Sequence, residues 1–172
     1  MVSQPAPLSV ETLARDHLDL LYRYAFRLTR SSTDAEDAVH ETFLVAAEKI
    51  DQLRSPDSAR AWLIQILRHQ LFKQRRHAVP TELFELDELP MAEPGQGAIE
   101  EQIAAERLME LLDAMPTDYR EPLLLFYFED MRYREIAEAL HVPLGTVMSR
   151  IARGKAYLRE KLVPVEQTLP QG

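Results

Sequence analysis

Residues 133–159 read YREIAEALHVPLGTVMSRIARGKAYLR and contain two short helical patterns separated by a break. In the first pattern apolar residues recur at helical spacing as far as Leu140, and the second continues the spacing through Val147 and Ile151. Residues 141–143 form the break, because Val142 precedes a proline and is disfavoured in the α region. Two helical patterns joined this tightly predict a helix-turn-helix.

The outer face of the second helix carries hydroxyl and basic side chains. Its members are Gly145 at the start, then Thr146, Ser149, Arg150, Arg153 and Lys155. In a DNA major groove, hydroxyls can contact base edges while cations contact phosphates. A helical hairpin with a solvated basic face is the simpler alternative. The spacing, the turn and the charge placement together favour DNA binding.

The composition excludes several classes of protein. With 172 residues, 46% hydrophobic and 28% charged, the chain fits one globular domain or two small ones. No apolar run could span a bilayer, and the N-terminus MVSQPAPLSV lacks the features of a signal peptide, so we expect a cytoplasmic protein. There are no cysteines, which excludes disulfides, thiol catalysis and cysteine zinc sites.

The net charge of −8 is concentrated in one segment. Residues 78–106 contain eight acidic residues and no Lys or Arg, which equals the whole excess of 28 acids over 20 bases. By contrast, residues 144–162 contain five bases and one acid, and residues 58–81 contain five bases and no acid. The overall charge therefore does not argue against DNA binding.

The remaining sequence predicts an all-α protein of two helical domains, residues 9–77 and 99–163, joined by an acidic linker at 78–98. Apolar residues follow helical spacing throughout both domains, whereas three prolines and two glycines interrupt the linker. Thr33 with Glu36, and Asp118 with Glu121, resemble capping boxes at helix starts.

The third helix, residues 59–77, is expected to bury Trp62 in its first half, and its second half has a different composition. Its last ten residues are rich in cations and rings and contain no acid, with Arg68, His69, Phe72, Lys73, Arg75 and Arg76 as the candidates. Cations at a helix C-terminus can simply complement its dipole. Several cations beside aromatic rings also suit unpaired nucleic acid, with contacts to phosphates and stacking on bases.

The sequence offers no catalytic or metal-binding constellation. His40-Glu41 begins like a zinc-protease motif, but Leu44 stands where the second histidine belongs. The five histidines are scattered, and there is no glycine-rich phosphate loop. We therefore expect no enzymatic activity, no metal and no cofactor.

Taken together, these motifs resemble a sigma factor of bacterial RNA polymerase of the extracytoplasmic-function (ECF) type. The first half, with LYRYAFRLTRSSTDAEDAVHETFLVAAEKI followed by ARAWLIQILRHQLFKQRRH, is similar to sigma region two. The second half, LMELLDAMPTDYREPLLLFYFEDMRYREIAEALHVPLGTVMSRIARGKAYLREKL, is similar to region four. The resemblance covers nearly everything except the N-terminal tail and the linker.

The resemblance implies a role for each surface. An acidic face on the second helix, made by Asp34, Asp37, His40 and Glu41, would dock on the polymerase. Trp62 and residues 68–76 would capture and melt the downstream promoter element, while residues 145–155 would bind the upstream element. The acidic linker would thread the polymerase interior. An anti-sigma factor is the expected regulatory partner.

Four residues depart from the family's usual pattern, and one of them is Arg132, which stands where a serine or threonine usually caps the first helix of the motif. His40 stands where glutamine is common, His69 where asparagine is common, and Lys73 where aspartate is common. His69 and Lys73 leave open which downstream promoter sequence the protein would prefer. A second functional class also remains at this stage, a free-standing helix-turn-helix regulator that binds an operator as a dimer. The second basic patch and the long acidic linker favour the sigma factor.

Overall fold

The computed structural model describes residues 8–77 and 98–162, with side chains described for residues 8–73 and 105–162. Within these ranges it contains only helices, which confirms the predicted all-α fold. They are α1 (Val10–Thr29), α2 (Ser32–Lys49), α3 (Ala59–His77), α4 (Ala98–Ala114), α5 (Thr117–Tyr127), α6 (Tyr133–Leu140) and α7 (Leu144–Leu162), with short 3-10 turns at Ile50–Gln52 and Pro56–Ser58. The predicted linker lies outside the described residues except for its last one.

The helices group into two compact units. The first contains α1, α2 and α3 together with residues 134–141, and the second contains α4, α5 and α7. In the first unit, Arg60 of α3 contacts both carboxylate oxygens of Glu135, at 2.8 and 2.9 Å. The sequence assigned residues 134–141 to the second domain instead, and the domain boundaries at 9–77 and 99–163 stay a prediction.

The core of the first unit forms where α1, α2 and α3 pack together. Leu21 and Tyr24 of α1 and Leu63 and Leu67 of α3 are fully buried. Each of the three leucines contributes roughly 1.5–3 kcal/mol by leaving water. On α2 the buried side chains are small, namely Ala35, Ala38, Val39, Thr42 and Ala46. Small residues allow the backbone of α2 to approach its neighbours closely.

The inward face of α3 differs from the prediction at Trp62. Leu63, Ile64, Leu67 and Leu71 are buried, whereas Trp62 is only half-buried. The sequence pattern placed the tryptophan on the inward face together with Leu63 and Leu67. The helical phase set by Leu63, Leu67 and Leu71 instead turns Trp62 towards the edge of the core.

Both predicted capping boxes are wrong. Helix α2 is capped by Ser31, whose hydroxyl accepts a hydrogen bond from the amide of Asp34 at 3.2 Å, so Thr33 lies inside the first turn. Helix α5 follows Pro116, which has no side-chain acceptor, and Asp118 is its second residue. The short polar side chains near both starts satisfy the capping pattern at more than one register, so the pattern alone does not fix the first residue.

The second unit is organised by the close packing of α5 against α7. Leu124 and Leu125 of α5 and Val147 and Ile151 of α7 are almost completely buried. Gly154 allows this approach, because a Cβ atom built there would lie 2.5 Å from Leu123 Cδ1 and 3.0 Å from its Cγ. No helix within residues 8–77 and 98–162 is long and apolar enough to cross a membrane.

Candidate nucleic-acid interface

The turn between α6 and α7 is produced by two residues with different roles. Helix α6 ends at Leu140 because His141 adopts the left-handed conformation, with φ 53°. The carbonyl of Pro143 then accepts hydrogen bonds from the amides of Thr146 and Val147, at 3.0 and 3.2 Å, and starts α7. The sequence located the break correctly but credited it to Val142 before the proline. A non-glycine residue in the left-handed region was not foreseen.

Helix α7 has a clearly divided surface. Val147, Ile151 and Gly154 are buried, and Leu158 is half-buried. Of the predicted DNA contacts, the exposed ones are Gly145, Ser149 and Arg153, and the half-buried ones are Thr146, Arg150 and Lys155. The structure therefore brings all six onto one helix but places three of them at the border of the core.

The three cations of this group contact α5. Arg150 Nη2 lies 3.4 Å from Asp118 Oδ2, and Arg153 Nη1 donates a hydrogen bond to the Tyr119 hydroxyl at 3.5 Å. Lys155 Nζ lies 5.7 Å from the centre of the Tyr127 ring. The sequence missed these α5 residues. The available signal was a helix with a carboxylate and two tyrosines, which precedes the basic helix with only the short α6 between them.

Two exposed apolar residues near the start of α7 were also missed. Met148 is 52% exposed and Leu144 is 39% exposed. Both lie in the first two turns, next to Gly145 and Ser149. The sequence signal was present, because neither residue belongs to the inward stripe that begins at Val147.

The C-terminal half of α3 exposes a ring among cations. Phe72 is 43% exposed, and the guanidinium carbon of Arg68 lies 5.5 Å from the centre of its ring. His69 and Lys73 are exposed as well, and Trp62 lies on their side of the helix because it precedes His69 by two helical turns. Arg75 and Arg76 belong to α3, but their side chains lie outside the described residues. The ring of Phe72 is accessible for stacking.

The acidic face of α2 is present in the structure. Asp37, His40 and Glu41 are exposed, and Asp34 is half-buried in the first turn. Leu44, which was not predicted, extends this face with a side chain that is 49% exposed. Charged groups next to an accessible apolar residue are compatible with a protein-binding surface.

No group of three potential metal ligands occurs among the described residues. Burial lowers the pKa of the His17 imidazole, and neighbouring Asp16 partly opposes that effect. This histidine lies in α1, away in sequence from the three surfaces described above. It therefore belongs to the packing of the first unit.

Two parts of the chain match known families. Residues 13–79 match Sigma-70 region 2, and residues 105–158 match Sigma-70, region 4. The first range contains the acidic face of α2 and the basic end of α3. The second contains α5, α6 and α7.

Several curated proteins are similar along most of the chain. The ECF RNA polymerase sigma factor SigE of Mycolicibacterium smegmatis is 33% identical over 165 residues, which cover 92% of this chain and 63% of that protein. A probable RNA polymerase sigma factor, RfaY of Xanthomonas campestris, is 32% identical, but this chain spans only 39% of its length. The RNA polymerase sigma-E factor of Streptomyces coelicolor is 31% identical, over 91% of this chain and 87% of that protein.

The fold has a counterpart among solved structures. In a complex with the anti-sigma factor NepR, the sigma factor RpoE of Bartonella quintana superposes with a TM-score of 0.70. The match covers 90% of this chain and 98% of that one at 22% identity. With its helices, its two matched regions and its relatives in agreement, the chain belongs to the ECF subfamily of RNA polymerase sigma factors.

Proposed function

We propose that this protein directs core RNA polymerase to specific promoters. The observation that carries the proposal is that α7 and the C-terminal half of α3 each expose basic side chains, in two settings of different character. The surface on α7 has small, hydroxyl and basic groups suited to duplex DNA, and the surface on α3 has an exposed ring among cations suited to unpaired bases. A factor that both binds and opens a promoter needs both kinds of contact.

In this proposal α7 binds the upstream element through the major groove. Ser149 and Arg153 lie on its exposed face, and Gly145 leaves open space at its own position in the first turn. Thr146, Arg150 and Lys155 would contact the phosphates at the edges of the groove. Phosphate contacts fix the orientation of the helix, and contacts to base edges select the sequence.

The C-terminal half of α3 would capture the downstream element as it opens. Phe72 offers its ring to an unstacked base, and Arg68 and Lys73 would contact the backbone beside it, with Arg75 and Arg76 continuing the basic surface. Stacking on an aromatic ring contributes roughly 1–3 kcal/mol per base. Trp62 and His69, two turns apart on the same side of α3, would line the path of the opened strand.

The acidic face of α2, made by Asp34, Asp37, His40 and Glu41, would bind a basic surface of the polymerase. The protein would act in the cytoplasm, without a catalytic step or a cofactor of its own. An anti-sigma factor is the proposed regulator, since the Bartonella protein of the same fold was solved with one. A protein that co-purifies with the chain from its native host would identify this partner.

The alternative, a dimeric operator-binding regulator, predicts different solution behaviour. We would measure the mass of the purified chain by light scattering and its co-elution with core polymerase in gel filtration. A monomer that co-elutes with the core supports the proposed function. A dimer that does not co-elute with core polymerase and binds a palindromic DNA site would overturn the proposed function.

A further inference from the structure

The outward face of α7 contains a row of three small residues. Gly145, Ser149 and Ala152 are exposed in its first three turns, opposite the buried Val147 and Ile151. Small residues along one face allow a helix to approach another surface closely. Apart from the adjacent residues and the nearby backbone of α7, a Cβ built on Gly145 would meet no atom within 4 Å in the described part of the chain, so the packing described there does not require a glycine.

The long side chains of Met148 and Arg153 border this row, one on either side. Arg153 has a hydrogen-bond partner in Tyr119, whereas Met148 is an apolar side chain that is 52% exposed. Single exposed apolar residues are common on protein surfaces and usually require no explanation. Met148 is different in its position, because it follows Gly145 by one helical turn and lies beside Ser149 in the part of such a helix that contacts base edges.

We propose that Met148 is a specificity-determining residue that contacts the C5-methyl group of a thymine in the upstream promoter element. In the major groove thymine is marked by this methyl group, and apolar side chains are the groups that detect it. Methionine is unbranched and polarisable, so it can adjust to a methyl group without an exact fit. The inference rests on the proposed function, and it adds an apolar contact to the polar contacts already assigned to α7.

The test uses the full chain bound to core RNA polymerase. A randomised upstream element is first selected for tight binding, and each of its thymines is then replaced singly by deoxyuridine. This change removes only the methyl group and keeps every hydrogen-bonding group of the base. We expect one replacement to weaken binding by about fourfold, the amount that corresponds to one methyl-sized group leaving water.

The variant Met148→Ala should bind the unmodified element about fourfold more weakly, with no further loss on the deoxyuridine probe. Leu162→Ala is the matched control. Leu162 is also exposed, at 47%, but it lies at the end of the same helix, about 20 Å from Met148. The Leu162→Ala variant should therefore lose as much binding on deoxyuridine replacement as the wild type does. Because both residues are exposed, neither change should prevent folding.

Three results would overturn the proposal. The first is a wild-type complex that is indifferent to every deoxyuridine replacement. The second is a Met148→Ala variant that remains as sensitive to the replacement as the wild type. The third is a Met148→Ala variant that binds core polymerase more weakly but keeps its promoter preference, which would show that Met148 contacts the polymerase. A wild-type complex that selects no upstream element at all would instead contradict the proposed function.

Discussion

Gly145 and Gly154 belong to the same helix but have opposite surroundings. A side chain on Gly145 would point into open space, whereas one on Gly154 would collide with Leu123, which is buried. Neither glycine has a positive φ angle. The first is therefore free to serve an external contact, and the second serves the packing of α5 on α7.

Exchanging each glycine for alanine separates the two roles. Gly154→Ala gains about 1 kcal/mol of helix propensity but forces Leu123 to move, at a cost of roughly 1–3 kcal/mol, so we expect net destabilisation. Gly145→Ala should leave the protein equally or slightly more stable while weakening promoter binding severalfold. Thermal unfolding and binding by the polymerase complex measure the two effects. Destabilisation by Gly145→Ala would show that this glycine is structural.

Arg150 and Arg153 should also differ in their effects. Arg153 lies on the exposed face with one long hydrogen bond, whereas Arg150 is half-buried beside Asp118. If Arg153 pairs with a guanine, Arg153→Ala should cost about 1–3 kcal/mol of binding and relax one base position. Arg150→Ala should weaken all sequences alike and reduce the salt dependence by about one phosphate contact. The reverse pattern in a promoter library would show that Arg150 contacts a base and Arg153 contacts a phosphate.

At the scale of the helix, the identity of the residue that caps α2 can be tested by substitution. Ser31 caps this helix through its hydroxyl, and Thr33 does not. We therefore expect Ser31→Ala to lower the free energy of unfolding by about 1 kcal/mol. Thr33→Ala, an exposed change of similar size, serves as the control and should be close to neutral. Equal effects of the two substitutions on urea denaturation would contradict the observed cap.

The helices themselves were predictable from the sequence, because apolar residues at a 3.6-residue period mark each inward face. The ends were less predictable, since Ser31, Ser32 and Thr33 are all acceptable caps and packing selects among them. The same limit applies to the candidate site. The polar residues of α7 were found from their chemistry, but their contacts with Asp118 and Tyr119 depend on how α5 packs, and no local pattern carries that information.

The acidic face of α2 can be tested as one element. Reversing both Asp37 and Glu41 to Lys should weaken core binding without unfolding the protein, because like charges would then meet across the interface. Asp16 and Asp19 of α1 are also exposed, and their joint reversal provides a control with the same change in net charge. Competition for core polymerase at moderate salt measures the effect. Equal losses for both pairs would indicate only a general charge effect.

For the whole molecule, the distribution of charge matters more than its sum. The net charge of −8 opposes the approach of DNA to the free protein, although α7 and the end of α3 are locally basic. Salt screens this repulsion over about 8 Å at physiological ionic strength. We therefore expect the chain alone to bind promoters poorly and to acquire selective binding only together with the polymerase. Promoter recognition would then be a property of the chain bound to core polymerase.

Reconstituted transcription from purified components tests this central claim most directly. Run-off products would be measured over a library of genomic fragments with core polymerase alone, with the chain alone, with both, and with both after Arg153→Ala in the chain. The account predicts products from a small set of fragments that share an upstream sequence, only when core and chain are combined, and fewer products with the variant. Identical products with and without the chain would contradict it.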